Sequence, residues 1–266
     1  MSGDLSSVEN VLIGAFASCI VVGTLQPTIF LKNAAAQKLP LSMNPRLLYR
    51  GVGVNLFNEM GQLSAQFGVT GSFKKRFPST PLGELAAAGA AGALVSLYVS
   101  PCELIMVQQQ NNGGTLLSTA VGLVRKFGLL SSLQRGLGCA MIRDSIMVCG
   151  MLGATPVIQA HLLGAEKNTP NTVAAASLAS SILGGVLGAM LSHPFDVLNT
   201  CIKGDLEKKL YGGGIIDASK RLFKEGGVKR LYSGGLWRTI NITATVWIAN
   251  ECALRLPEHV KALTRG

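Results

Sequence analysis

Long stretches of this chain carry no acid or base, and they recur at regular intervals. Residues 11–31, 85–102 and 171–195 run for 21, 18 and 25 positions without Asp, Glu, Lys or Arg, with His193 as the one ionisable exception. About 20 apolar residues are needed to cross the hydrocarbon core as a helix, so these three stretches are strong candidate membrane spans. Between them lie three weaker candidates, residues 51–73, 136–163 and 234–256, interrupted by charges that include Glu59, Arg143 with Asp144, and Glu251. Strong and weak spans alternate three times. The pattern predicts an all-α membrane protein of six transmembrane helices.

Each strong span is predicted to end at a proline (Pro27, Pro101, Pro194), which kinks the helix and leads into a polar turn. Small side chains sit in near register before each proline: Gly14 and Ser18, then Ala88, Gly92 and Ser96, then Ser181, Gly185 and Ala189, with Val22 the one departure. Small residues four apart let helix backbones approach closely in lipid. A polar stretch follows each proline, and then Tyr49-Arg50-Gly51, Gln134-Arg135-Gly136 or Tyr232-Ser233-Gly234 opens the weak span. The prolines are 74 and 93 residues apart, so the chain reads as one domain, 1–266, built from tandem two-helix units at about 8–78, 82–165 and 170–258. Pro156 is expected to disturb the end of the fourth helix. The tract from Gln108 to Asn112 reads as a solvated helix end.

Composition agrees with lipid. Of 266 residues 48% are hydrophobic and only 14% charged, with a mean hydropathy of +0.38, whereas a soluble domain carries about 25% charged residues. The balance of 24 basic against 14 acidic residues gives a formal +10, but a nucleic-acid binder displays such charge on a polar surface that this chain cannot build. Residues 32–50, 103–136 and 196–238 hold 16 of the 24 basic residues, which marks the side of the membrane that stays positive. The six cysteines have no zinc-like spacing and read as buried apolar residues of a reducing compartment. Residues 1–10 carry Asp4 and Glu9 and no base, so any organelle address is expected inside the mature chain. No nucleophile–base pair, phosphate loop or metal cluster is apparent, and an enzyme is not expected.

On these residues the chain resembles the mitochondrial carrier family over essentially its whole length. The family's Pro-x-acid-x-x-base signature appears in degenerate form as Pro27-Thr28-Ile29-Phe30-Leu31-Lys32, Pro101-Cys102-Glu103-Leu104-Ile105-Met106 and Pro194-Phe195-Asp196-Val197-Leu198-Asn199. Gln110 stands nine residues past Pro101, and Leu222-Phe223-Lys224-Glu225-Gly226-Gly227 resembles the family's matrix helix. The resemblance implies threefold pseudosymmetry, short matrix helices, no cofactor and residence in the inner mitochondrial membrane.

It also implies a matrix gate, in which the base of one unit pairs with the acid of the next: Lys32 with Glu103, Met106 with Asp196, and Asn199 with Ile29. Only the first pair keeps both charges, and Asp196 is left without a basic partner. The opposite gate would fall near Gly71 and Lys74, Pro156 and Gln159, and Ala253, where Lys74 alone is charged; Glu251 and Arg255 are spaced to pair along one helix. Substrate contacts fall on Asn58 and Glu59, on Arg143 and Asp144, and around Asn241. The adjacent Arg143 and Asp144 suit a zwitterion, the guanidinium forking onto a carboxylate and the acid taking an ammonium; alternatively they satisfy each other. Cardiolipin is expected where Gly51, Gly136 and Gly234 open helices, near Arg50 and Arg135, and at Tyr211 and Gly213. His193 reads as a helix-end hydrogen bonder, and His161 and His259 lie near the water interface.

Two functions remain open. One is transport of a small amino-acid-like or zwitterionic metabolite by alternating access. The other, favoured by the depleted gates, is a carrier fold that has lost transport and serves as an accessory subunit of a large inner-membrane respiratory complex.

Overall fold

A computed structural model describes residues 7–74, 76–78, 80–164 and 169–265. Among the described residues the secondary structure is helical throughout: α1 (Ser7–Gln37), α2 (Pro45–Leu48), α3 (Val52–Lys74), α4 (Pro81–Asn112), α5 (Leu116–Phe127), α6 (Leu129–Gln134), α7 (Leu137–Val148), α8 (Thr155–Leu163), α9 (Pro170–Gly204), α10 (Gly214–Leu231) and α11 (Gly235–Arg265). The start signals are chemical. Thr80 and Thr169 each accept a hydrogen bond from the backbone N–H three residues on, with proline in the next position, which satisfies one free donor and presets the first helical φ.

The bundle is turned inside out relative to a soluble protein. Gln26, Asn33, Asn55, Ser96, Gln108, Arg143, Asp196 and Lys203 are buried, while Phe16, Ile20, Leu94, Leu97, Leu187, Leu191 and Trp247 are exposed. In water that arrangement would cost burial of polar groups and gain nothing from the apolar ones; facing lipid, it is the expected one. Four helical stretches among the described residues are long and apolar enough to cross a membrane: Leu12–Gln37, Leu85–Asn112, Leu129–Leu163 and Asn171–Gly204. Asn55, Asn58 and Glu59 make α3 more polar, as Arg238 and Asn241 do α11.

Packing follows a closed circuit, α1 on α3, α3 on α4, α4 on α7, α7 on α9, α9 on α11 and α11 back on α1. Gly51, Gly136 and Gly234, with φ of +82°, +72° and +83°, precede α3, α7 and α11 in the left-handed region that glycine alone adopts freely. Each is seated on a proline-containing helix: Gly51 on α4, Gly136 on α9 and Gly234 on α1. A Cβ would lie 3.0 Å from Met106 Cγ at Gly51, 2.6 Å from Asn199 Oδ1 at Gly136 and 2.8 Å from the Lys32 carbonyl at Gly234. Met106, Asn199 and Lys32 all stand five residues past a proline, so the contact repeats cyclically.

Three expectations need correction or refinement. No polar turn follows Pro27, Pro101 or Pro194: each lies inside its helix, which runs on for about three turns to Gln37, Asn112 and Gly204. The residues beyond the prolines stay helical because their polar groups find partners across the bundle. Asn33 Nδ2 donates to Gln110 Oε1 (2.7 Å), Asn111 Nδ2 to Gln37 Oε1 (2.8 Å) and Gln108 Nε2 to the Lys203 carbonyl (2.6 Å). For the same reason Gln108, Gln109 and Gln110 are buried rather than solvated. Around Pro156, α7 gives way to a π-helical segment, Cys149–Ala154, and α8 resumes with the proline in its first turn. There the backbones nearly touch: a Cβ on Gly150 would lie 2.7 Å from Gly188 Cα.

Candidate functional site

Past the prolines, α4 and α9 project acidic residues into the bundle, and an ion-pair network closes around them. Glu103 takes Arg143 Nη1 at 2.6 Å, Lys203 Nζ at 2.7 Å and Asn199 Nδ2 at 2.9 Å. Asp196 takes Lys32 Nζ at 2.9 Å, Arg238 Nη1 at 3.0 Å and Arg143 Nη1 at 3.2 Å. Asp144 accepts from Arg143 Nε at 2.7 Å and from Ser96 Oγ at 2.7 Å, and Arg238 Nη2 donates to Ser192 Oγ at 2.7 Å. Glu103, Asp144 and Asp196 therefore each hold two or three donors, the condition under which charges are tolerable at membrane depth.

Above this floor lies a cavity of about 160 Å³, walled in part by Asn58, Glu59, Arg143, Asp144 and Asn241, with Lys32, Glu103, Asp196 and Arg238 at its base. All five sequence-predicted substrate residues line it. Below the network only about 10 Å³ remains between Lys32, Glu103, Asp196 and Lys203, less than one water needs. Asn241 Nδ2 donates to Thr28 Oγ1 at 2.8 Å, which fixes the register of α11 against α1.

The partners differ from those the family pattern implied. Lys32 pairs with Asp196 rather than Glu103, and Asn199 bonds Glu103 rather than facing Ile29. Asp196 is not left alone: it has three cations, of which Arg238 was missed at the sequence level and Arg143 was assigned to substrate. Lys203 was missed as well, although it follows Asn199 by one helical turn and Asp196 by two, on the same face. The cations have moved to neighbouring turns while the charge balance has been kept. Of the two arrangements open to Arg143 and Asp144, a zwitterion fork or mutual satisfaction, the second is the one found: they bond each other, and Arg143 also bonds the floor.

Other predicted positions divide. Glu251 and Arg255 pair along α11 at 2.9 Å. His193 Nε2 lies 3.2 Å from the Ser233 carbonyl, with its ring against Tyr232, as a helix-end hydrogen bonder would. Gly71, Lys74, Ala253 and His259 fall outside the residues whose surroundings are described.

A second cavity, about 710 Å³, opens between α6, α7 and α10 and is lined by Arg135, Gly136 and Tyr211. Arg135 Nε donates to the Ile202 carbonyl at 3.0 Å, and its Nη2 is buried without a partner. Gly213 lies beside it, between the lining residues Gly212 and Gly214. Arg50 lies elsewhere, on a cavity of about 210 Å³ with Phe30, Leu47 and Gln110.

An inside-out helical bundle with a polar cavity over a bed of ion pairs defines a multi-pass membrane protein able to hold a small solute within its thickness. A sequence profile described as "Mitochondrial carrier protein" matches residues 171–250. The chain is 25% identical over 205 residues to mitochondrial uncoupling protein 6 of Arabidopsis thaliana, covering 71% of this chain and 60% of that protein. It is 29% identical over 203 residues to mitochondrial 2-oxodicarboxylate carrier 1 of Saccharomyces cerevisiae, covering 70% and 63%. With a mitochondrial arginine transporter of Arabidopsis thaliana it shares 28% over 228 residues, covering 79% and 74%. The match thus spans about three fifths of the first two relatives. The chain is thus similar to mitochondrial carriers, and the second and third of these relatives are named as a carrier and a transporter rather than as enzymes.

Proposed function

We propose that this protein is a metabolite carrier of the inner mitochondrial membrane, its six spanning helices arranged as three two-helix units, 8–78, 82–165 and 170–258, about a pseudo-threefold axis. It moves a small amino-acid-like or zwitterionic solute by alternating access. The observation that carries this reading is the cavity, which gathers Asn58, Glu59, Arg143, Asp144 and Asn241 from α3, α7 and α11 above a floor of interhelical ion pairs. Such a floor acts as a gate: solute binding offsets the loss of its ion pairs, and the bundle reopens on the other face. The cyclic seating of Gly51, Gly136 and Gly234 supports the threefold arrangement, and relatives named for 2-oxodicarboxylates and arginine support small-metabolite transport.

The depletion of gate charges was the reason to consider a non-transporting accessory subunit, and with Lys203 and Arg238 in the network that reason weakens. Reconstitution into liposomes is the test. Uptake of at least one small metabolite, lost in Arg143→Ala, is the expected result. Protein that moves nothing in a broad panel and co-purifies with a respiratory complex is instead the accessory subunit.

Cardiolipin is proposed for the larger cavity, where the unpartnered Arg135 Nη2 and the start of α7 at Gly136 await a phosphate. A mass spectrum of the same gently extracted preparation with no retained cardiolipin counts against this assignment.

A further inference from the structure

The polar groups of the central cavity are unevenly spent. Lys32, Arg143, Lys203 and Arg238 are all committed to Glu103, Asp144 and Asp196, so four cations face three carboxylates. The fourth carboxylate of the cavity wall, Glu59 on α3, has no cationic partner among the described residues. Glu59 balances the network in total charge while standing outside its bonds.

The neutral groups show the same bias. Asn58 is 5% exposed and its Oδ1 has no hydrogen-bond partner. Asn241 spends its Nδ2 on Thr28 Oγ1, and Asn55 spends its own on Gln26 Oε1 at 2.9 Å. Arg238 Nη1, the one buried donor of the cavity wall that lacks a hydrogen bond, still lies 3.0 Å from Asp196 Oδ2. Each cation of the wall is thus already bonded to a carboxylate, while Asn58 Oδ1 and the Glu59 carboxylate, side by side in sequence on α3, have no such partner among the described residues.

We propose that this site takes a cation-headed solute, a primary ammonium or a guanidinium, with its N–H groups on the Glu59 carboxylate and Asn58 Oδ1. This rests on the carrier reading above and narrows it from zwitterions in general to solutes whose cationic end dominates recognition. An anionic solute would have to share cations that Glu103, Asp144 and Asp196 already hold, which weakens buried pairs. A cationic solute needs no such sharing. Size agrees, since a cavity of about 150 Å³ holds a group as large as benzene, which accommodates a guanidinium head and excludes a nucleotide.

The full-length protein, purified in detergent and also reconstituted, tests this with L-arginine, 1,4-diaminobutane, glycine, 2-oxoglutarate and inorganic phosphate as probes. L-Arginine and 1,4-diaminobutane are expected to raise the melting temperature and to enter liposomes, and the other three to do neither. Glu59→Gln is expected to weaken the cation response at least tenfold without lowering the unliganded melting temperature, because Glu59 makes no ion pair among the described residues. Asn58→Ala, which removes the neighbouring acceptor without touching charge, is expected to weaken it several-fold and serves if the first variant folds poorly. A larger response to 2-oxoglutarate, phosphate or glycine than to the cations overturns the inference and leaves the carrier reading intact, as does an unchanged cation response in both variants. A protein that neither responds to nor transports any probe or other small metabolite overturns both.

Discussion

Asp196 holds more of this molecule together than any other single residue in the ion-pair floor. It accepts from α1 through Lys32, from α7 through Arg143 and from α11 through Arg238, while sitting on α9 itself. Asp196→Asn would leave those cations short of one charge in a medium with little water to replace it. Breaking a buried pair from one side costs about 3–5 kcal/mol, which corresponds to a fall in melting temperature on the order of 10 °C; a thermal unfolding scan of the purified variant checks it. Lys203→Met should cost less, because Glu103 keeps Arg143 and Asn199. At this scale the sequence was legible in residue type and illegible in pairing. The acids at Glu103 and Asp196 stand where the signature puts them, but a motif read position by position cannot see that Lys203, a turn further along α9, and Arg238, a turn into α11, reach the same carboxylates. Long side chains make the charge of a site less tied to register than its backbone is.

Between elements, glycine decides which helices can meet. Gly150 in the π segment packs on Gly188, and Gly92 on α4 leaves room for the Asp144 carbonyl, 2.5 Å from where its Cβ would be. Gly150→Leu should therefore push α7 and α9 apart and lower the yield of folded, monodisperse protein on size-exclusion chromatography, while Gly14→Leu, with nothing within 4 Å of its Cβ, should leave the yield unchanged. The periodic small residues before each proline hid this difference: Gly92 is a contact and Gly14 is open surface, though both belong to the same spaced series. The π segment was legible only as a disturbance near Pro156. Outside the membrane, the link from α9 to α10 is organised by Asp205, whose carboxylate accepts the N–H groups of Lys209 (3.1 Å), Leu210 (2.7 Å) and Tyr211 (2.7 Å). Burial pushes that carboxyl up, but the hydrogen bonds from Tyr211, Leu210 and Lys209, together with Arg135, hold it below its ordinary value. A depressed pKa means stabilisation that is complete above the ordinary carboxylate value of about 3.9 and disappears as the pH falls through the lower, folded value. Hydrogen exchange at Lys209–Tyr211, corrected for the intrinsic pH dependence, should lose protection below about pH 4, and Asp205→Ala should lose it at neutral pH as well.

For the molecule as a whole, the alternation of uncharged and sparsely charged runs was enough to expect the helices that form the closed circuit among the described residues, because lipid leaves a chain few options once its backbone must satisfy itself. Helix ends were less legible: the prolines looked like terminators, and only partners brought from other units keep the backbone helical beyond them. The cyclic seating of the three left-handed glycines has a mechanical meaning. Two of its joints, Gly51 on α4 and Gly136 on α9, lie between segments that follow one another along the chain, but the third, Gly234 on α1, brings the far end of the chain back to its beginning. That seam is held by side chains and backbone contact alone, and the same Lys32 whose carbonyl receives Gly234 also gives its ammonium to Asp196. Releasing Lys32 from Asp196 would load the one joint that no peptide tethers, so the seam of the bundle and the proposed gate turn on a single residue.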